Sequence, residues 1–251
     1  MRIKIIVPIT AKSFQQNAQK EYGHYINDKG SLFKDLEFDI EILPEGEGPL
    51  TIESEYDGAL AEPGAIALVE KAEREGYDGV VIDCFCDSGY HPAREAVSIP
   101  VTAAFETSIR FAQLLGKNIA IVTMKKSFIP RIHRMAKAMG ASGDIVSIRS
   151  VEIPVVDLGK YKEKLKEGLV SQMLEAIEED SAEVLVLGCT GMIGVASSVQ
   201  KALNAKGYDV PVVNPAEVCL RFMECLLIMG VKQSGLSYPP KRSSKQQRGK
   251  I

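Results

Sequence analysis

The chain has 251 residues, 45% of them hydrophobic and 25% charged, and a net charge of −3. This is ordinary globular composition for one or two domains, and it gives no overall basic surface that would point to nucleic acid. No apolar run approaches the ~20 residues of a membrane span, and "MRIKIIVPIT" has too short an apolar stretch for a signal peptide, so a cytoplasmic protein without a membrane partner is expected.

In chain order, "IKIIV" (3–7) and "FDIEIL" (38–43) read as strands. "GAIALVEKAERE" (64–75) places Ile66, Leu68, Val69 and Ala72 on one helical face with charges opposite. Strands are predicted again at "GVVID" (79–83), "SIPVTAA" (98–104), "NIAIVT" (118–123), "EVLVLG" (183–188) and "VPVVN" (210–214). Helices are predicted over 106–115, over 127–139 with Pro130 in the first turn, over about 159–179, and over 216–230. Strands apolar throughout and separated by helices predict an α/β fold with mostly parallel sheets covered on both faces. The last stretch, "KRSSKQQRGKI" (241–251), carries five Lys or Arg and no acid, and reads with the residues just before it (238–251) as a disordered basic tail.

An internal repeat organises the rest. "IPVTAAFETSIRFAQLLG" (99–116) aligns with "VPVVNPAEVCLRFMECLLIMG" (210–230), so that Pro100 meets Pro211, Glu106 meets Glu217, Arg110 meets Arg221 and Phe111 meets Phe222. Upstream, "DGVVIDC" ends at Cys84 and "AEVLVLGC" ends at Cys189, each an apolar strand that delivers a cysteine at its carboxyl end. "IKIIVPIT" (3–10) parallels "NIAIVTMK" (118–125). The repeat predicts two similar halves, residues 1–117 and 118–211, with 212–230 packing on the first, related by a pseudo-twofold axis. Ligands of open α/β sheets sit outside the carboxyl ends of the strands, so Cys84 and Cys189 are expected to face one cleft between the halves.

The five cysteines (84, 86, 189, 219, 225) include no CxxC pair, and the three histidines (24, 91, 133) are scattered, so neither a disulfide framework nor a metal centre is expected. Cys219 and Cys225, within an apolar helix, read as structural. Cys189 lies between Gly188 and Gly191, just before the apolar pattern of Met192, Ile193 and Val195; a helix starting there would lower the thiol pKa toward neutrality. Two thiols facing each other across a carbon acidified by a carbonyl can invert it: a thiolate takes the proton from one face and the opposing thiol returns one to the other, with no cofactor. Cys86 is expected to face away from Cys84 along an extended segment and to sit at the pocket edge, with a redox role as the alternative. Asp83 and Asp87 read as solvated loop carboxylates or as groups that orient the cysteine or a substrate N–H. His91 offers a Cys–His dyad as a minor alternative.

The motifs Cys84-Phe85-x-Asp87-x-Gly89 and Gly188-Cys189-x-Gly191-Met192, with Pro8 and Thr10 near the start, resemble those of hydantoin racemases in the aspartate/glutamate racemase superfamily. The resemblance covers about residues 1–230 and implies cofactor-independent racemisation in a homo-oligomer. It makes Cys84 and Cys189 the acid/base pair, and Thr10, Phe85, Thr123, Thr190 and Gly191 the substrate-binding residues. Asp83 and Ser88 stand where relatives often carry Ala and Pro, and Thr190 gives the G-C-T form also typical of amino-acid racemases. The expected substrate is a small molecule: a 5-substituted hydantoin or an allantoin-like ureide. The rivals are an aspartate/glutamate-type racemase or another isomerase or decarboxylase of the superfamily, and a two-lobed binding protein without turnover.

Overall fold

The computed structural model describes residues 1–28, 31–33 and 35–239; the basic run at 241–251 lies outside them. The first half contains β1 (Arg2–Val7), α1 (Lys12–Gly23), β2 (Glu37–Ile42), α2 (Glu55–Arg74), β3 (Gly79–Ile82), α3 (Tyr90–Ala96), β4 (Val101–Ala103) and α4 (Ala104–Leu115). The second contains β5 (Ile119–Thr123), α5 (Ile129–Ala138), β6 (Ile145–Ser150), α6 (Lys162–Asp180), β7 (Val184–Leu187), α7 (Ala196–Ala205), β8 (Val212–Val213) and α8 (Pro215–Met229). Each half holds a four-stranded parallel sheet, ordered β2-β1-β3-β4 in one and β6-β5-β7-β8 in the other. The identical strand order is the repeat expressed as topology.

Strands β3, β5 and β7 are buried along their whole length, as is β1 from Ile3 onward, because helices cover both faces of each sheet. This is why they read as unbroken apolar runs. The two halves also exchange helices. Helix α4 packs on β7, while α8 packs on β3 and β4, and the two helices pack on each other. A side chain on Gly79 would lie 2.4 Å from Met223 Sδ, so the close approach of α8 to β3 depends on that glycine. Phe111 and Phe222, equivalent positions of the repeat, meet edge-to-face at 6.4 Å, as expected of residues related by a pseudo-twofold axis.

Several elements depart from the sequence reading. Helix α2 begins at Glu55 rather than Gly64 and continues through Pro63; its start is set by Ser54, whose hydroxyl accepts the Asp57 N–H at 3.2 Å. Helix α1 and edge strand β6 give no clear signal, for α1 buries only Ala18, Glu21 and Tyr22, and no residue of β6 is fully buried. Strands β4 and β8 are shorter than predicted. Helix α7 starts at Ala196 instead of immediately after Cys189, since Gly194 in the left-handed region (φ 73°) holds the intervening residues in turns.

Candidate active site

The carboxyl ends of β3 and β7 deliver Cys84 and Cys189 to one small cavity between the halves, about 40 Å³ in volume. The repeat extends to the hydrogen bonding of the sulfurs. Cys84 Sγ accepts the N–H of Cys86 at 3.4 Å, and Cys189 Sγ accepts the N–H of Gly191 at 3.3 Å, each from two residues further on. Cys84 is half-buried and Cys189 is buried.

Both thiols are pushed up in pKa, which for Cys189 is contrary to the lowering expected from a nearby helix start. The neighbouring Cys86 thiol and burial raise Cys84 well above its usual value. Burial raises Cys189 to about 12, partly offset by the backbone N–H of Gly191. Helix α7 starts seven residues after Cys189, and the Gly191 N–H meets the sulfur in its place.

Of the residues expected to bind substrate, Phe85, Thr190 and Gly191 line the cavity beside the two cysteines. Phe85 is held edge-on against Phe105 at 5.3 Å. Thr190 donates its hydroxyl to the Asp83 carbonyl at 3.3 Å, tying the second half to the first. Thr10 and Thr123 do not line the cavity, although their neighbours Ile9 and Met124 do. The Thr10 hydroxyl donates to the Pro49 carbonyl at 3.2 Å, and the buried Thr123 hydroxyl donates to the Gly188 carbonyl at 3.2 Å. Sequence reasoning missed Phe14, Ile52, Phe128 and Val155, which complete an apolar wall. They carry no catalytic chemistry of their own, so only the fold identifies them.

Neither aspartate is a solvated loop carboxylate: Asp83 is buried and Asp87 half-buried. Asp87 adopts the left-handed conformation (φ 49°), and its carboxylate accepts the N–H groups of Phe105 at 2.7 Å and Glu106 at 2.9 Å. It thereby caps α4 from outside the helix and pins the loop that carries Cys84. Burial raises its pKa to about 7. Asp83 also lines the cavity; burial lifts it to about 7, and its Oδ1 has no hydrogen-bond partner. His91 is exposed, 3.7 Å from Glu106, and does not line the cavity, which removes the Cys–His dyad. Cys86 does not face away: residues 84–87 form a turn, closed by the Asp87 N–H on the Cys84 carbonyl at 3.1 Å, and both thiols line the cavity.

Among the described residues no group of His, Cys, Asp or Glu has a metal-binding arrangement, and no helix is long and apolar enough to cross a membrane.

Two like α/β halves, each contributing a strand-end thiol to a shared cavity, define a class of enzyme that works between its halves. Residues 34–223 match the Asp/Glu/Hydantoin racemase family, and the chain belongs to that family of racemases and isomerases. A hydantoin racemase of Pseudomonas sp. (strain NS671) is 31% identical over 245 residues, covering 96% of this chain and 93% of that protein. One from Paenarthrobacter aurescens is 32% identical over 208 residues, covering 82% and 86%. The allantoin racemase structure from Klebsiella pneumoniae superposes with a TM-score of 0.84 at 24% identity, covering 97% of this chain and 95% of that one, a likeness of fold.

Proposed function

We propose that the protein is a cofactor-independent racemase of 5-substituted hydantoins or allantoin-like ureides, and that Cys84 and Cys189 are its acid/base pair. The observation that carries this reading is the meeting of the two repeat-related cysteines in one cavity. The substrate carbon lies between the sulfurs. One cysteine, as thiolate, removes the proton next to the ring carbonyl; the other, as thiol, delivers a proton to the opposite face. The two protonation states are exchanged at the end, so the same site runs the reverse reaction.

The raised thiol pKa values fit such a role. A thiolate formed in a site largely closed to water is a stronger base than one in solution. Its scarcity at neutral pH costs about 1.4 kcal/mol for each tenfold fall in its population. The N–H groups of Cys86 and Gly191 stabilise whichever sulfur carries the charge.

The wall composition favours a neutral ring over a free amino acid. None of the residues lining the cavity is Lys, Arg or His, while Asp83 is among them. An aspartate or glutamate substrate would bring one or two carboxylates into this site without a cationic side chain to receive them, an expensive desolvation. A ureide ring presents carbonyls and N–H groups that backbone and side-chain dipoles can meet. The single-donor chemistry of a decarboxylase would leave one of the two thiols unused.

The test is incubation in heavy water with single enantiomers of a 5-substituted hydantoin, allantoin, aspartate and glutamate, followed by proton NMR and polarimetry. Exchange at the stereocentre with loss of rotation is expected for the hydantoin or allantoin and not for the amino acids. Turnover of aspartate or glutamate alone would overturn the substrate assignment, and absence of exchange on all four would favour a binding protein.

A further inference from the structure

Cys86 has no part in the proton transfer proposed above, yet its placement is specific. The turn at 84–87 brings it against Cys84: its N–H lies 3.4 Å from Cys84 Sγ, and its thiol is the largest influence on the titration of Cys84. A turn closed between its first and fourth residues also keeps the first and third Cα atoms near the ~4.4–6.8 Å that a disulfide spans.

Cys86 is also the partition between two cavities. One is the inner site; the other is an outer cavity of about 440 Å³, lined by Cys86, Asp87, Tyr90, Phe105, Arg131 and Met135 among others. Arg131 spans the outer side. Its Nη2 donates to the Cys86 carbonyl at 3.0 Å, and the guanidinium pairs with Glu55 at 3.2 Å and Glu62 at 3.7 Å. The position of a side chain on Gly58 would be 2.8 Å from Cys86 Sγ and 3.0 Å from Arg131 Cζ, which places sulfur and cation side by side. Arg131 Nε is buried with no hydrogen-bond partner.

We propose that Cys84 and Cys86 form an oxidisable dithiol, open to a small peroxide through the outer cavity, and that their disulfide switches the enzyme off. The Cys86 sulfur attacks the peroxide; an S–O bond forms, the O–O bond breaks, and the departing oxygen takes the thiol proton and leaves as water. The Cys84 thiol then attacks the sulfenic sulfur. An S–S bond forms, the S–O bond breaks, and the oxygen leaves as a second water with the Cys84 proton. The two thiols lose two electrons and the peroxide gains them. The short ring makes the disulfide strained and readily reduced by a dithiol. While it stands, Cys84 cannot exchange a proton with substrate, a consequence that rests on the racemase reading.

The reduced full-length protein is exposed to graded hydrogen peroxide, its remaining thiols are alkylated, and tryptic peptides are weighed. Residues 75–94, between the cleavage sites at Arg74 and Arg94, contain Cys84 and Cys86 and no other cysteine. This peptide is expected to lose two hydrogens, escape alkylation and recover both thiols with dithiothreitol. Hydantoin racemisation should fall about a hundredfold or more, the general acid–base contribution, and return in parallel. In Cys86→Ser, measured against its own starting rate, the same dose should cause a smaller loss of activity, because Cys84 has no partner thiol with which to close a disulfide. Full alkylation of both thiols at a peroxide dose that oxidises the exposed Cys225 overturns the proposal, as does a loss in Cys86→Ser as large as in the parent. An untreated protein that does not racemise the hydantoin counts against the racemase reading alone, because the peptide mass decides the dithiol independently.

Discussion

The hydroxyl of Thr190 donates to the main-chain oxygen of Asp83 at 3.3 Å, so the residue after one cysteine is tied to the residue before the other. This contact crosses the two halves and sets Asp83 in a dry position, where burial raises its carboxyl from 3.8 to about 7.

Asp83 should therefore make stability depend on pH. Between those two values the folded chain holds a proton that the unfolded chain has released, so Asp83 lowers stability as pH rises from about 4 to 7, and the loss is complete above 7. Asp83→Asn is expected to match the parent near pH 4 and to exceed it above pH 7 by a few kcal/mol, at about 1.4 kcal/mol for each tenfold change in proton affinity. Urea unfolding at the two pH values checks this. A difference independent of pH would mean that Asp83 is not a buried titrating group.

Asp87 is expected to behave in the opposite sense on removal. Asp87→Ala leaves the first N–H groups of α4 without their acceptor and frees the Cys84 loop. A loss of about 2–3 kcal/mol is expected, together with a larger fall in kcat than in the affinity for substrate. Thermal unfolding and steady-state kinetics measure both, and an unchanged Tm would contradict the capping role.

Gly58→Ala tests the packing around Cys86. Its new methyl group would lie 2.8 Å from Cys86 Sγ, so Cys86 and the Arg131 guanidinium must shift, at about 1–3 kcal/mol. Chemical denaturation reads the cost; a variant as stable as the parent would show that the wall yields freely.

Alkylation of Cys189 should report its buried state directly. With its pKa raised to about 12, the rate of modification by iodoacetamide should climb about tenfold per pH unit from neutrality to beyond pH 9, and a bound hydantoin should suppress it. The peptide spanning 167–201 carries Cys189 alone and gives the rate by mass. A plateau near pH 7 would instead show the helix-tuned thiolate that the sequence suggests.

Much of this architecture is legible in the sequence because the physics is local. Unbroken apolar runs identify the buried strands, and the repeat of Phe111 with Phe222 and Cys84 with Cys189 exposes two similar halves. What escapes depends on packing. The first turns of α2 are hidden by Pro63, and β6 lacks a buried face because it lies at a sheet edge. The Cys189 pKa runs opposite to expectation because a glycine turn, absent from the helical pattern, stands between Cys189 and α7 while burial dominates. Cys86 points the other way from its expected direction because alternation holds only for extended chain, and residues 84–87 turn.

The most direct test of the two-cysteine account follows isotope in the first turnovers of a single hydantoin enantiomer in heavy water. If opposing thiols act from the two faces, the inverted product should carry deuterium at the stereocentre while the unconverted substrate keeps its hydrogen, and Cys84→Ala and Cys189→Ala should each abolish inversion. Product that retains the substrate's hydrogen, or inversion that survives the loss of either cysteine, would contradict it.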